Sequence, residues 1–236
     1  MRPMPAKTGR PTLGEILRWS VVAVGVTGLV FYAVPAFSQG RFSGLTSTFR
    51  YTQEPSVVEA FHDLEDVPEG QNSLGLIQKH STRVVFKDLA QLDKRLKSYD
   101  AISWTSTDGG QCMIFINTIH KSAPAEALAA LISHEAMHND QYNSLNEEVA
   151  GWSREAQVWI EMKKMNPALS QVPPGADTLV DRENRLALEY GKGSDNFDHF
   201  VRTQPGYAGL PESSPGFETD PFSTVGAVSN NGTGTP

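Results

Sequence analysis

The sequence has little cysteine and no excess of positive charge. Cys112 is the only cysteine among 236 residues, which excludes an internal disulfide and a cysteine-based metal site. The 27 acidic residues outnumber the 20 basic ones, and no basic cluster is dense enough for a nucleic-acid surface. Any metal bound by this chain must therefore use histidine and carboxylate ligands, and we do not expect nucleic acid as a partner.

Charged residues are also missing from a long N-terminal run, residues 19–40. Because about 20 apolar residues suffice to cross a bilayer, this run predicts a transmembrane helix or signal anchor. The leader before it, residues 1–18, carries four basic residues and one acidic residue, which predicts a cytoplasmic N-terminus and an extracytoplasmic remainder. Secretion after signal cleavage near Ala36 and Ser38 is the alternative to this single-pass membrane protein.

The rest of the chain divides into a linker, one domain and a tail. Residues 41–54 are polar and contain glycine, serine and threonine, which is typical of a linker. The folded domain is expected over residues 55–202, a length that allows one hydrophobic core. Over residues 203–236 proline, glycine, serine and threonine dominate, and this composition predicts a disordered tail.

The domain mixes helical and strand patterns. The β-branched run at 82–89 predicts a strand, and residues 101–117 indicate a hairpin around the turn Asp108-Gly109-Gly110. Five segments have the composition or apolar spacing of helices: residues 55–65, 72–80, about 124–141, 146–165 and 177–193. We therefore expect a single α+β domain.

The stretch "HEAMH", residues 134–138, carries the chemistry. On a helix, His134 and His138 lie one turn apart on the same face and can reach one ion. Zinc accepts imidazole nitrogens, and its catalytic sites take three protein ligands and keep a position for water. Glu135 would lie beside that water as the general base. The two histidines continue the apolar stripe of Ala127 and Leu131, where an unpaired imidazole would be costly to bury; a ligand role explains this placement.

A third ligand must come from the following helix, which offers Glu147 and Glu148. The short loop before this helix predicts an antiparallel αα-hairpin, which brings its first turn close to His138. Glu148 falls within the apolar arc of the helix, where a carboxylate needs a partner. Ser144 and Glu147 form a capping-box pattern that explains Glu147 without a metal. We therefore favour Glu148 as the ligand, with Glu147 as the alternative.

"HEAMH" followed by a helix with "EEVAG" resembles the zincin metallopeptidases, in particular the gluzincin branch. The resemblance implies a zincin-like fold: a small mixed sheet, an active-site helix and a following antiparallel helix that carries the glutamate ligand. It also implies an edge strand that holds an extended peptide, and residues 112–117, "CMIFIN", could be that strand. The implied reaction is hydrolysis of a peptide bond, in which zinc polarises the carbonyl and Glu135 passes the water proton to the leaving amine.

The sequence departs from the family pattern at the residue that orients a histidine ligand. Trp152 or Gly151 stands where an acidic or amide residue often follows the glutamate. Glu155 could take that role, and a surface salt bridge with Arg154 or Lys163 is the alternative. No spacing selects the donor for a transition-state oxyanion among the four candidates by residue type, Tyr142, Tyr190, His199 and Tyr207.

These patterns predict a membrane-anchored zinc peptidase that acts on peptides or proteins outside the cytoplasm. The alternative is a membrane-anchored protein that keeps the metal site without turnover. Three of the histidines outside the motif, His62, His80 and His120, are expected to be exposed.

Overall fold

The computed structural model describes residues 50–106, 111–139, 141–171, 178–215 and 217. The leader, the predicted transmembrane helix at 19–40 and residues 41–49 of the linker lie outside these ranges. None of the helices within them combines the length and the apolar character that crossing a bilayer requires. This finding corrects the predicted localisation as a single-pass membrane protein.

The described residues form an α+β structure of seven α-helices and three strands, as the sequence predicts. The helices are α1 (Pro55–Glu65), α2 (Pro68–Lys79), α3 (Leu89–Leu92), α4 (Ala125–Glu135), α5 (Leu145–Met165), α6 (Leu179–Tyr190) and α7 (Ser194–Arg202). The strands are β1 (Arg83–Lys87), β2 (Ala101–Thr105) and β3 (Cys112–Asn117). Short 3-10 helices lie at Lys94–Leu96, Thr118–His120, Pro167–Gln171 and Pro205–Tyr207.

The three strands form a mixed sheet in the order β1-β3-β2. β2 and β3 pair antiparallel, with Ala101 opposite Ile116 and Thr105 opposite Cys112, so the predicted pairing of these strands is confirmed. The turn residues 107–110 lie outside the described ranges. β1 runs parallel to β3, which makes β3 the central strand. The expectation that "CMIFIN" is an edge strand is therefore wrong; β2 lies at an edge of the described sheet.

Helix α4 passes through the centre of the core. Every residue from Ala127 to Glu135 is buried, and the helix packs against α1, α2, α5 and β2. A helix that is apolar on all sides can be stable only inside the protein. The polar residues at its end, His134 and Glu135, are therefore carried into the interior, where each needs a partner.

Helix α4 ends earlier than predicted, at Glu135 instead of about residue 141. The amides of Met137 and His138 bond three residues back, to the carbonyls of His134 and Glu135 at 2.9 and 3.2 Å. This tight turn places His138 beyond the helix, against the first turn of α5, where Glu147 binds its ring. A contact with the next helix therefore takes the place of the last helical turn, and local helix propensity does not reveal it.

Residues 203–215, here called the C-terminal segment, have a defined structure although the sequence predicts a disordered tail from residue 203. The amides of Leu145 and Asn146 donate to the carbonyls of Pro211 and Glu212 at 2.9 and 3.1 Å. The first amides of a helix have no acceptor within the helix. The C-terminal segment supplies acceptors for two of these amides in α5. The folded domain therefore continues beyond the predicted boundary at 202.

Candidate metal centre

Three predicted ligands lie together at the junction of α4 and α5. His134, His138 and Glu148 each offer one ligand atom, and these atoms all lie within 4.8 Å of one another. Nε2 of His134 is 3.5 Å from one Glu148 carboxylate oxygen, and Nε2 of His138 is 3.7 Å from the other. The two imidazole rings therefore present the same nitrogen to a single carboxylate.

The opposite nitrogen of each ring binds a different carboxylate. Nδ1 of His134 lies 2.7 Å from Oε2 of Glu155, and Nδ1 of His138 lies 3.0 Å from Oε1 of Glu147. When Nδ1 donates its proton to a carboxylate, the lone pair of Nε2 is free for a metal. Both rings are thus oriented for binding through Nε2.

The structure distinguishes the two adjacent glutamates. Glu148 faces both Nε2 atoms. Glu147 instead accepts from His138 and from the hydroxyl of Ser214, at 3.2 Å. Ser144 accepts from the Glu147 amide at 3.3 Å, as the cap pattern predicts. The geometry therefore groups Glu148 with the two histidines as a candidate ligand, and it pairs Glu147 with the far nitrogen of His138.

Glu155 is the residue that orients His134. Its side chain is fully buried, and it binds His134 and Arg182 instead of forming a surface salt bridge. Burial would raise the pKa of Glu155, but Arg182 and His134 outweigh burial and hold it below the usual range. The carboxylate is therefore charged and able to accept the His134 proton.

Charged groups of both signs meet in this buried site. Burial would lower the pKa of His138, yet Glu148 and Glu147 raise it to about 9. Burial would likewise raise the pKa of Glu148, but His138 and His134 lower it to about 2. With Glu155 also charged, three carboxylates surround two imidazoles in a buried site. Two imidazole nitrogens and a carboxylate facing one another are donor types that a divalent cation accepts, so the donor set fits a bound metal in residue type and in geometry.

Close contact between α4 and α5 depends on Gly151. A Cβ atom at this position would lie 2.8 Å from Cδ2 and 3.0 Å from Nε2 of His134. Any larger residue would push against the imidazole ring. The glycine therefore leaves the space that the His134 ring occupies.

Glu135, the predicted general base, contacts the sheet through Ser103. The hydroxyl of Ser103 on β2 is 2.8 Å from Oε2 of Glu135 and 2.7 Å from its backbone oxygen. Glu135 is buried, with 8% of its surface exposed. Sequence reasoning did not identify Ser103, because only the packing of β2 against α4 brings this residue to the site.

Tyr207 is the one oxyanion-donor candidate that lies at this centre. Its hydroxyl accepts from the indole Nε1 of Trp152 at 2.6 Å and hydrogen-bonds to Glu148. Burial and the charge of Glu148 raise the pKa of Tyr207 above its usual value, so the phenol keeps its proton. The other candidates are placed elsewhere: Tyr142 and His199 are exposed, and Tyr190 accepts from Gln157.

A second polar network continues from Glu155 away from the ligands. The guanidinium of Arg182 binds Glu155, Glu183 at 2.8 Å and Asp100 at 3.2 Å. Asp100 in turn lies 2.6 Å from Nε2 of His120. His120 is buried, so its predicted exposure is wrong; the carboxylate of Asp100 provides the partner that burial requires.

Comparison with known proteins adds nothing to this geometry: no family model, curated protein or solved structure matches the chain.

Proposed function

We propose that this protein is a zinc-dependent metallopeptidase with a zincin-like fold. The observation that carries the proposal is the convergence of two Nε2 atoms and the Glu148 carboxylate, with the far nitrogen of each imidazole held by a carboxylate. Two imidazoles and one carboxylate are a ligand set of catalytic zinc. In this interpretation α4 is the active-site helix and α5 is the glutamate-bearing helix that follows it.

A zinc ion held by these residues would polarise a substrate carbonyl and lower the pKa of a bound water. Glu135 is adjacent in sequence to the ligand His134, and Ser103 holds its carboxylate in place. Glu135 would accept the proton of the attacking water and pass it to the leaving amine. Tyr207, whose oxygen accepts from Trp152, would donate a hydrogen bond to the developing oxyanion in exchange for its hydrogen bond to Glu148.

Strand β2 is the part of the sheet best placed to hold a peptide substrate. Within the described residues β3 is its one strand neighbour, and Ser103 in its middle contacts Glu135. An extended peptide that pairs with the outer edge of β2 would add a strand to the sheet and run past the general base. β2 thus takes the role first given to residues 112–117.

A metal-binding protein without turnover is the second candidate. It is favoured by the burial of Glu135, whose carboxylate already has a protein partner in Ser103. A general base needs access to water and substrate, which this burial restricts. Both candidates predict bound zinc, and only the peptidase requires the carboxylate of Glu135.

The test compares the full chain with its Glu135→Gln variant for zinc content and for cleavage of a broad peptide library. The proposal predicts about one zinc per chain in both proteins, with a loss of kcat of about 100-fold or more in the variant. Glu161→Gln, at a partly exposed position on α5, is the matched control and should keep full activity. Zinc binding without cleavage favours the second candidate, and absence of zinc from the wild type overturns both.

A further inference from the structure

Arg182 links the carboxylate behind a candidate metal ligand to the start of the edge strand. On one side its Nη2 binds Glu155, which accepts from His134. On the other side its Nη1 lies 3.2 Å from Oδ2 of Asp100, the residue that immediately precedes β2. One side chain of α6 therefore spans the distance between α5 and the sheet.

Asp100 is itself fixed to the sheet by two further contacts. Its backbone oxygen accepts from the amide of Asn117, the last residue of β3, at 2.8 Å. Its Oδ1 lies 2.6 Å from Nε2 of His120 in the following 3-10 helix. The Asp100 carboxylate is therefore a rigid anchor, and Arg182 connects that anchor to Glu155.

The shape of arginine suits this position. Its guanidinium contacts three carboxyl groups at once, those of Asp100, Glu155 and Glu183, of which the last two are fully buried. A planar fork with five N–H donors can serve several acceptors in fixed directions, whereas a lysine ammonium is a single compact charge on a flexible stem. Lysine at residue 182 would keep the charge and lose the defined geometry.

We propose that Arg182 is a positioning residue that holds His134 at a set distance from β2 through Glu155 and Asp100. The inference rests on the proposed metal site. Arg182 touches neither the ion nor the substrate. Its role would be to align Nε2 of His134 with β2, the strand along which a peptide would lie. Loss of the guanidinium would let Glu155 and His134 shift together.

The experiment measures binding of Zn²⁺ alone to the full chain by competition with a chelator. Residues that orient a metal ligand contribute about 10–100-fold in affinity, so Arg182→Lys should raise the zinc Kd about 10-fold or more. The Co²⁺ complex should also show altered d–d absorption, which reports coordination geometry. Arg185→Lys is the matched control: it lies on the same helix with 63% of its side chain exposed, and its Kd should stay within about twofold of the wild type.

Asp100→Asn tests the connection to the strand, because Asp100 contacts neither Glu155 nor His134 in the network described above. It should weaken zinc binding about threefold or more, a smaller effect than that of Arg182→Lys because the change is one contact further from the metal. If both residues act through the same contact, the double variant should bind zinc no more weakly than Arg182→Lys alone. Additive effects would refute the connection to β2.

The outcomes separate this proposal from the proposed function. A wild type without zinc removes the metal site and this proposal with it. A wild type that binds zinc, together with an Arg182→Lys variant of unchanged Kd and unchanged Co²⁺ spectrum, overturns the positioning role alone. If Arg182→Lys only loosens the packing of α6, it should lower the Tm. The zinc Kd and the Co²⁺ spectrum of the folded protein should then be unaltered. If that variant does not fold, Asp100→Asn decides, and a wild-type Kd there refutes the proposal.

Discussion

Replacing Gly151 with alanine perturbs the candidate metal centre where α5 meets His134. The added Cβ would lie 2.8 Å from Cδ2 of the imidazole, whereas carbon atoms in ordinary contact are about 3.5–4.0 Å apart. The ring or the helix must therefore move by about 0.7 Å or more. The ring is held on its other side by the 2.7 Å contact with Glu155, so a shift would also strain that bond.

The expected effect on stability is small, because two contributions oppose each other. Overpacking a core position costs about 1–3 kcal/mol, while replacing a helical glycine with alanine gains about 1 kcal/mol. The free energy of unfolding of the metal-free Gly151→Ala protein should therefore fall by about 0–2 kcal/mol. Denaturant unfolding followed by circular dichroism measures this change.

The expected effect on metal binding is large. Metal–ligand distances tolerate deviations of only about 0.2 Å, well below the displacement that the alanine requires. The zinc Kd should rise about 100-fold or more, at the upper end of what loss of an orienting residue causes. Gly75→Ala is the control, since nothing lies within 4 Å of a Cβ there; it should raise the free energy of unfolding by about 0.5–1 kcal/mol and leave zinc binding unchanged. Wild-type zinc affinity in Gly151→Ala would refute the assigned position of His134.

Three further predictions follow from other parts of the structure. Glu148→Ala should weaken zinc binding more than Glu147→Ala, whose effect should be about 10–100-fold because Glu147 only orients a ligand; competition titration compares them. Tyr207→Phe should lower kcat about 100-fold or more with unchanged zinc content, as measured by peptide cleavage. Burial and neighbouring carboxyls raise the pKa of Asp63 from 3.8 to about 6, so the folded state holds this proton more tightly than the unfolded state. The free energy of unfolding should then fall as the pH rises from about 4 to 6. The Asp63→Asn variant should not show this fall, which amounts to about 1 kcal/mol after screening at a partly exposed site. Denaturant unfolding at pH 5 and pH 8 measures the difference.

Each of these predictions has a contradicting result. Equal zinc affinities for the Glu147 and Glu148 variants would refute the separation of ligand from orienting residue. Tyr142→Phe is the control for Tyr207→Phe, because its side chain is exposed; equal losses of kcat would remove Tyr207 from the mechanism. An Asp63→Asn protein with the same pH dependence as the wild type would show that another group titrates in this range.

The elements that local rules predict are those whose signals lie close together in the chain. Helix α1 has the predicted bounds, Pro55–Glu65, because proline begins it and its apolar residues recur with helical spacing. The pairing of β2 with β3 follows from the turn-forming residues between them. The parallel pairing of β1 with β3 joins segments separated by a whole strand, and no local residue pattern marks it. That pairing makes β3 central, so the position of the peptide-binding edge could not be read correctly from sequence.

Composition gives a wrong prediction for the C-terminal segment. Residues 203–215 contain proline, glycine and serine, as disordered tails do. Yet their value to the fold lies in the backbone carbonyls of Pro211 and Glu212, which any residue type provides. Two side chains of this segment, Tyr207 and Ser214, lie at the candidate metal centre, and the bonds to these carbonyls help to hold the segment against α5.

The sequence predicts the burial of some charged residues of α5 and misses that of others. Glu148 and Glu155 fall within the apolar arc of this helix, and a carboxylate there must find a partner because burying an isolated charge is very unfavourable. Both are buried and bind histidine. Glu147 lies at the margin of the arc and is equally buried. It is covered by the C-terminal segment, whose position cannot be predicted from the periodicity of α5. A helical wheel therefore identifies charges that face the core of their own domain, and it misses charges that a distant segment encloses.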